Sequence, residues 1–130
     1  MLCLIRGLPG GGKSTLASMF AKDGWVHIEK DKLRVNAAGE YVYDPAMSPE
    51  LDRQCLKMAR LALLYGGKVV VANTFVTLAC LQPYIDLANE IGVGYTIIEA
   101  KGRFPNVNGC PEDRFNQFAN NWEHFPVIGE

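Results

Sequence analysis

At 130 residues and 48% hydrophobic content, the chain is long enough for one domain with a buried core and too short for two. Its formal charge of −1 hides an asymmetry: residues 1–34 hold six Lys/Arg against three Asp/Glu and residues 35–130 seven against eleven, which suits a phosphate ligand near the start but not the broad basic face of a non-specific nucleic-acid binder. No apolar stretch reaches the about 20 residues that span a bilayer, and scattered Cys3, Cys55, Cys80 and Cys110, with His27 and His124 isolated, suit reduced thiols in a cytoplasmic protein and exclude a Cys/His metal cluster.

The first residues, Met1-Leu2-Cys3-Leu4-Ile5, are apolar but lack a basic leader and a small-residue cleavage site. They read as a buried strand over Leu2–Arg6, not as a signal peptide. A glycine-rich turn at 7–12 follows, then a helix over Lys13–Lys22. A second strand at 25–29 leads into a helical segment near 31–36. Residues 37–49 hold one glycine and two prolines and read as a loop. Within it Tyr41 and Tyr43 alternate, either as an acceptor-side flap or as the edge of a small hairpin. Ser48-Pro49-Glu50 opens the longest helix, with Ser48 as its cap, Pro49 at the first helical position, and Glu50 and Asp52 at the positive end. Leu51, Cys55, Met58, Ala62 and Tyr65 keep helical spacing, and Gly66-Gly67 ends the helix.

Residues 68–73 contain Val69-Val70-Val71, a third strand buried on both faces. A helix through 86–91 follows, with Pro83 marking its first turn, and 92–99 gives a fourth strand containing Tyr95, Ile97 and Ile98. Residues 101–110 are punctuated by glycine and proline. A last helix at 111–123 carries Phe115, Phe118 and Trp122 at helical spacing, a stripe that either fills a core or stacks on a base. Strand and helix alternate throughout, with no internal repeat or linker. The expected fold is α/β: a P-loop NTPase three-layer α/β/α domain over 1–130 with a four-stranded, mostly parallel sheet.

Gly7-Leu8-Pro9-Gly10-Gly11-Gly12-Lys13-Ser14-Thr15 fits the pattern G-x-x-x-x-G-K-[ST] in full. A triphosphate needs several backbone N–H donors converging on one point, and glycines let the chain curl tightly enough to aim them. The following helix adds its positive end. The pattern calls for a nucleotide, taken as ATP by default with the choice between adenine and guanine left open, and it assigns Lys13 to the β- and γ-phosphates and the Ser14 hydroxyl to Mg²⁺. A guanine-reading N-K-x-D pattern is absent.

From these residues onward the chain resembles the kinase domain of bacteriophage polynucleotide 5′-hydroxyl kinases and their small P-loop relatives, from Leu2 to about Trp122. The phosphate loop matches that family's style. Glu29-Lys30-Asp31-Lys32-Leu33-Arg34 matches its acceptor-facing segment, and Ala72-Asn73-Thr74-Phe75 falls where the family has an Asp-Thr-Asn end to its third strand. The resemblance implies that Asp31 is the general base for the acceptor hydroxyl and that Arg34 holds a substrate phosphate. It also implies an arginine-bearing lid, for which Arg103 is the preferred stand-in, because Asn116 occupies the aligned arginine position and Lys101 and Arg114 are the other nearby cations.

Spacing i, i+3 independently puts Asp31 and Arg34 on one helix face, beside the ligand crevice at the carboxyl end of strand two. The plainer alternative is a solvated turn with a local ion pair. Asn73 brings no charge to the position where many P-loop enzymes keep an acid near magnesium, and Glu99 is a candidate substitute. His27 reads as structural and Cys3 as inert, and the sequence ends before a fifth strand. The expected function is ATP-dependent transfer of the γ-phosphoryl to a hydroxyl, foremost a polynucleotide or nucleotide 5′-hydroxyl. The alternatives are a nucleotide-binding regulatory module and a small-metabolite or sugar-nucleotide kinase. The sequence specifies no oligomeric state.

Overall fold

A computed structural model describes residues 1–8, 11–101 and 122–123. Among them, β1 (Leu2–Arg6), α1 (Lys13–Lys22), β2 (Val26–Ile28), α2 (Ser48–Leu64), β3 (Val69–Asn73), α3 (Leu78–Ile91) and β4 (Tyr95–Glu99) follow one another in chain order. The strands form one parallel sheet of four in the order β2-β3-β1-β4, the α/β architecture expected.

The two strands with unbroken apolar sequence, β1 and β3, take the two central positions and are buried at every residue. Their side chains alternate between faces. Leu2, Leu4, Val69 and Val71 join Ile28, Cys55, Ala59, Leu63, Leu81 and Leu87 under α2 and α3. Cys3, Ile5, Val70 and Ala72 meet Ala17, with Leu16, Phe20 and Trp25 around them, under α1. The register Leu2↔Val69 through Arg6↔Asn73 ends β1 and β3 level with each other. The turns that leave them, toward α1 and α3, therefore share one sheet edge. That edge is where an open parallel sheet binds ligands.

Several expected boundaries shift, each for a tertiary reason. Trp25 lies outside β2 because its N–H bonds Phe20 O at 3.2 Å and its ring sits edge-on to Phe20 at 5.0 Å. Glu29 also leaves the strand, and the helical segment is a 3₁₀ turn over Lys30–Leu33, with Arg34 beyond its end. Tyr41 lies at the edge of a small hairpin: Val35 pairs with Tyr41, and Asn36 Oδ1 accepts from Ala38 and Glu40 N–H. A second 3₁₀ turn, Pro45–Met47, is capped by Asp44 and runs directly into α2. Ser48 is therefore not a cap; it is the first residue of α2, and its Oγ accepts from Arg34 Nη2 at 2.8 Å.

The buried stripe of α2 is Leu51, Cys55, Ala59 and Leu63. The helix presents its i+4 row, so Met58 (42% exposed) and Tyr65 (90% exposed), both expected on the inner stripe, point to solvent. Helix α3 begins at Leu78, well before Pro83, which is an interior residue. Its start is fixed from far along the chain, because Glu123 Oε1 accepts the Leu78 N–H at 2.7 Å. Strand β4 starts only at Tyr95, since Gly92 at φ 85° and Val93 still bond Ala88 O and finish α3. The expected segment at 101–110 lies outside the described residues beyond Lys101, and so does the 111–123 helix up to Trp122. No helix among the described residues is long and apolar enough to cross a membrane.

Candidate active site

The phosphate loop leaves β1 at Gly7 and enters α1 at Lys13; Pro9 and Gly10 lie outside the described residues. Gly7 N–H donates to Thr74 O at 3.3 Å, which ties the loop to the end of β3. Close approach fixes the glycines. A Cβ on Gly7 would stand 2.8 Å from Ala100 O, and one on Gly11 2.9 Å from both Ala100 O and Leu8 O, contacts that backbone atoms cannot relieve. Gly12 holds φ 89° at the helix start, the left-handed region in which glycine carries no steric cost.

No side chain caps α1 and its first turn holds no acid, so its positive end stays available to an anion. Lys13 Nζ donates to Gly7 O (2.8 Å) and Leu8 O (3.1 Å), which draws the ammonium over the loop. Ser14, one residue on, turns the other way, and its Oγ donates to Glu29 Oε2 at 2.9 Å.

The second half of the site is built on the exit from β2. Asn73 Oδ1 accepts the Lys30 N–H at 2.8 Å, pinning the 3₁₀ turn that carries Asp31 against the end of β3. Asp31 accepts from Arg34 Nε at 3.1 Å; its side chain is 39% exposed and that of Arg34 3%. The Arg34 guanidinium also donates to Asp44 O and Ser48 Oγ and lies 4.8 Å from the Tyr43 ring centroid. The sequence-expected pair is thus brought together, with Asp31 open toward solvent and Arg34 as the buried post that holds it and joins the hairpin to α2.

A cavity of about 330 Å³ opens beside this turn. Leu56, Phe75, Pro83 and Tyr84 form its apolar wall, and Lys30 and Asn73 belong to its polar side. Its size is at the low end of ligand pockets, about 300–1,000 Å³. Phe75 helps shape it from a strained backbone, φ 47°, a conformation that costs a non-glycine residue about 1 kcal/mol or more. Its carbonyl accepts from Arg6 Nε (3.1 Å) and Nη2 (2.7 Å). Arg6, wholly buried at the end of β1, also bonds Val76 O and Glu123 O and lies 4.0 Å from the Trp122 ring centroid. Burial lowers its pKa, while Glu99, Cys80 and Glu123 act to raise it.

Glu99, the candidate substitute acid, stands opposite Arg6 across the β1–β4 ladder, and its charge acts on that guanidinium. The acid that touches Ser14 is Glu29, which sequence reasoning passed over. Its one signal was its place two residues before Asp31. Trp122 joins Arg6, whereas Phe115, Phe118, Arg103, Arg114 and Asn116 lie outside the described residues. Burial pushes the Cys3 and Cys55 thiols up to about 11, which keeps both protonated and inert.

A serine hydroxyl and a carboxylate, both oxygen donors, suit a hard cation such as Mg²⁺, which binds through few protein ligands plus phosphates and water. Among the described residues no group of three or more His, Cys, Asp or Glu could hold a metal by itself.

A parallel sheet whose central strand runs into a glycine-rich loop and a helix defines a P-loop nucleotide-binding fold. The chain belongs to the AAA domain family AAA_33, whose model matches residues 2–101. Solved structures share the fold at low identity. A chain of the Pnkp1/Rnl/Hen1 RNA repair complex matches at TM-score 0.64 and 20% identity over 96% of this chain and 40% of its own length. The Mycobacterium tuberculosis APS kinase CysC, in complex with AMPPNP and APS, matches at 0.56 and 18%, over 89% of this chain and 66% of that one. A gluconokinase from Sinorhizobium meliloti 1021 matches at 0.56 and 17%, over 94% and 74%. The present chain thus spans less than half of the RNA repair chain it matches.

Proposed function

We propose that this chain is an ATP-dependent phosphotransferase that moves the γ-phosphoryl group of ATP to a hydroxyl, with the 5′-hydroxyl of a polynucleotide or nucleotide as acceptor. The observation that carries the reading is the pairing of two half-sites at one sheet edge. One is a complete phosphate loop with Lys13 drawn over it; the other is a carboxylate, Asp31, braced by Arg34 next to a cavity. The likeness to an RNA repair complex, and to the acceptor segment of bacteriophage polynucleotide 5′-hydroxyl kinases, supports the nucleic-acid end as acceptor.

In this mechanism the loop over positions 7–15 binds the polyphosphate through the backbone N–H groups that lead into α1, because Gly7 and Gly11 give theirs to Thr74 O and Leu8 O and Pro9 has none, and Lys13 offsets charge on the β- and γ-phosphates. Magnesium, held by Ser14 and the nucleotide, would supply charge neutralisation on the phosphates. Asp31 accepts the acceptor hydroxyl's proton as its oxygen bonds to the γ-phosphorus. The bond from that phosphorus to the β–γ bridging oxygen breaks, and ADP leaves with the electron pair. Arg34, whose Nε, Nη1 and Nη2 all donate within the protein, fixes the direction of Asp31. Arg103 is assigned to the transferred group as the lid cation.

The test is radiolabelled ATP incubated with 5′-hydroxyl oligonucleotides, nucleosides, adenosine 5′-phosphosulfate and gluconate. Transfer to the oligonucleotide, lowered about 10²–10⁴-fold by Asp31→Asn with ATP affinity kept, is the expected outcome. Transfer only to a small metabolite would reassign the acceptor. ATP binding with no transfer to any of them would make the chain a regulatory nucleotide-binding module.

A further inference from the structure

We infer that Glu29 supplies the acidic contact of the magnesium site, the role that Asn73 leaves uncharged, and that His27 is the positioning residue that aims it. This inference rests on the ATP-dependent reading above and assigns a role within that site.

The geometry begins at the last turn of β2. Glu29 follows β2 in an extended conformation (φ −140°, ψ 130°), and its carboxylate reaches Ser14 in the first turn of α1. The residue is 7% exposed. Both carboxylate oxygens are engaged: Oε2 accepts from Ser14 Oγ at 2.9 Å, and Oε1 accepts from His27 Nε2 at 2.7 Å. The two donors approach different oxygens, so the carboxyl plane has little freedom to turn.

Hydrogen-bonding capacity assigns the protons. Lys32 Nζ lies 3.3 Å from His27 Nδ1, and an ammonium can only donate. His27 Nδ1 is therefore the accepting nitrogen, and Nε2 carries the hydrogen given to Glu29. At the other oxygen, a carboxylate can only accept, so the single Ser14 hydrogen points at Glu29. The lone pairs of the Ser14 oxygen are then turned away from Glu29 and free for a cation. A carboxylate bonded to a ligand's hydrogen also raises that ligand's electron density, as acids behind metal-binding histidines do.

Asn73 cannot fill this role. Its amide is neutral, and its oxygen accepts the Lys30 N–H at 2.8 Å, which makes it a strut for the Asp31 turn. Glu99 faces Arg6. Glu29 is the acid that the described structure brings to the Ser14 hydroxyl, and it arrives from β2 while the strut arrives from β3.

The experiment measures the affinity of the full chain for ATP by calorimetry, with and without Mg²⁺, and reads Mn²⁺ coordination in the ATP complex by electron paramagnetic resonance. Glu29→Gln keeps the size of the side chain and removes its charge. The expected result is a roughly 10–100-fold loss in the gain that Mg²⁺ gives to ATP affinity, with metal-free ATP affinity and thermal midpoint kept and the Mn²⁺ spectrum altered. His27→Ala is expected to reduce the same gain by less. An unchanged Mg²⁺ gain in Glu29→Gln overturns the inference. Equal losses of ATP affinity with and without metal, together with a lower thermal midpoint, also overturn it, because they would make Glu29 a structural brace. A wild-type chain that binds no ATP overturns the phosphotransferase reading itself, an outcome that the variants cannot mimic.

Discussion

Helices α1 and α3 start at the same edge of the sheet, directly after its two central strands, yet their first turns are treated in opposite ways. Helix α1 opens at a left-handed glycine, with no capping side chain and no acid in its first turn. Helix α3 opens with its first N–H already bonded to the Glu123 carboxylate. One positive helix end is kept for a ligand, and the other is closed by the protein's own anion. Two starts of identical topology are thus separated by a single carboxylate, so position on a sheet edge does not by itself make a site. What makes one is the withholding of a local partner.

The sharpest way to break this contrast is Lys13→Ala at the open end. Transfer should fall by several orders of magnitude in the radiolabel assay, with circular dichroism and thermal midpoint nearly unchanged, because the Lys13 ammonium reaches carbonyls of the loop itself, at Gly7 and Leu8. Retained transfer would mean that the open end is not the working one. At the closed end the roles reverse. Glu123→Ala should cost about 1 kcal/mol of stability in denaturant unfolding, the usual worth of a helix cap, while ATP affinity holds. A large loss of ATP affinity with unchanged stability would erase the distinction between the two ends.

A third comparison concerns both faces of the sheet together. Cys3 under α1 and Cys55 on the buried face of α2 have thiols raised from 9.0 to about 11 by burial, so the folded state favours their protonated forms. Their contribution to stability is complete below about pH 9 and is lost as pH rises toward about 11. A pH series of thermal midpoints checks the direction, and peptide mapping after brief alkylation at about pH 8 should find Cys80, which is exposed, modified ahead of both.

What the amino-acid order makes legible follows the same division. The phosphate loop is readable because its chemistry is local: glycines, a lysine and a serine in fixed spacing, flanked by an apolar strand and a helix. The central places of β1 and β3 are readable because Leu2-Cys3-Leu4-Ile5 and Val69-Val70-Val71 leave no polar face. Misreadings arise wherever the deciding partner is distant. Ser48 has the composition of a cap, but a guanidinium from Arg34 takes its hydroxyl. Pro83 looks like a helix start, but the helix starts at Leu78, whose N–H bonds a carboxylate 45 residues beyond it. Glu29 looks like a surface charge at the head of a turn, and only the fold brings it to Ser14.

Arg6 links positions 117 residues apart, by way of its bond to Glu123 O, while also gripping Phe75 O. Such a link has a consequence for biogenesis. While the polypeptide is being synthesised from its amino end, β1, β3 and the nucleotide loop can all emerge and pair, yet the clasp at the sheet's centre cannot close until residue 123 has left the ribosome. Loop-closure entropy makes that last contact a late event in refolding as well. A nascent chain arrested shortly before that point is therefore expected to hold its strands with the start of α3 still frayed.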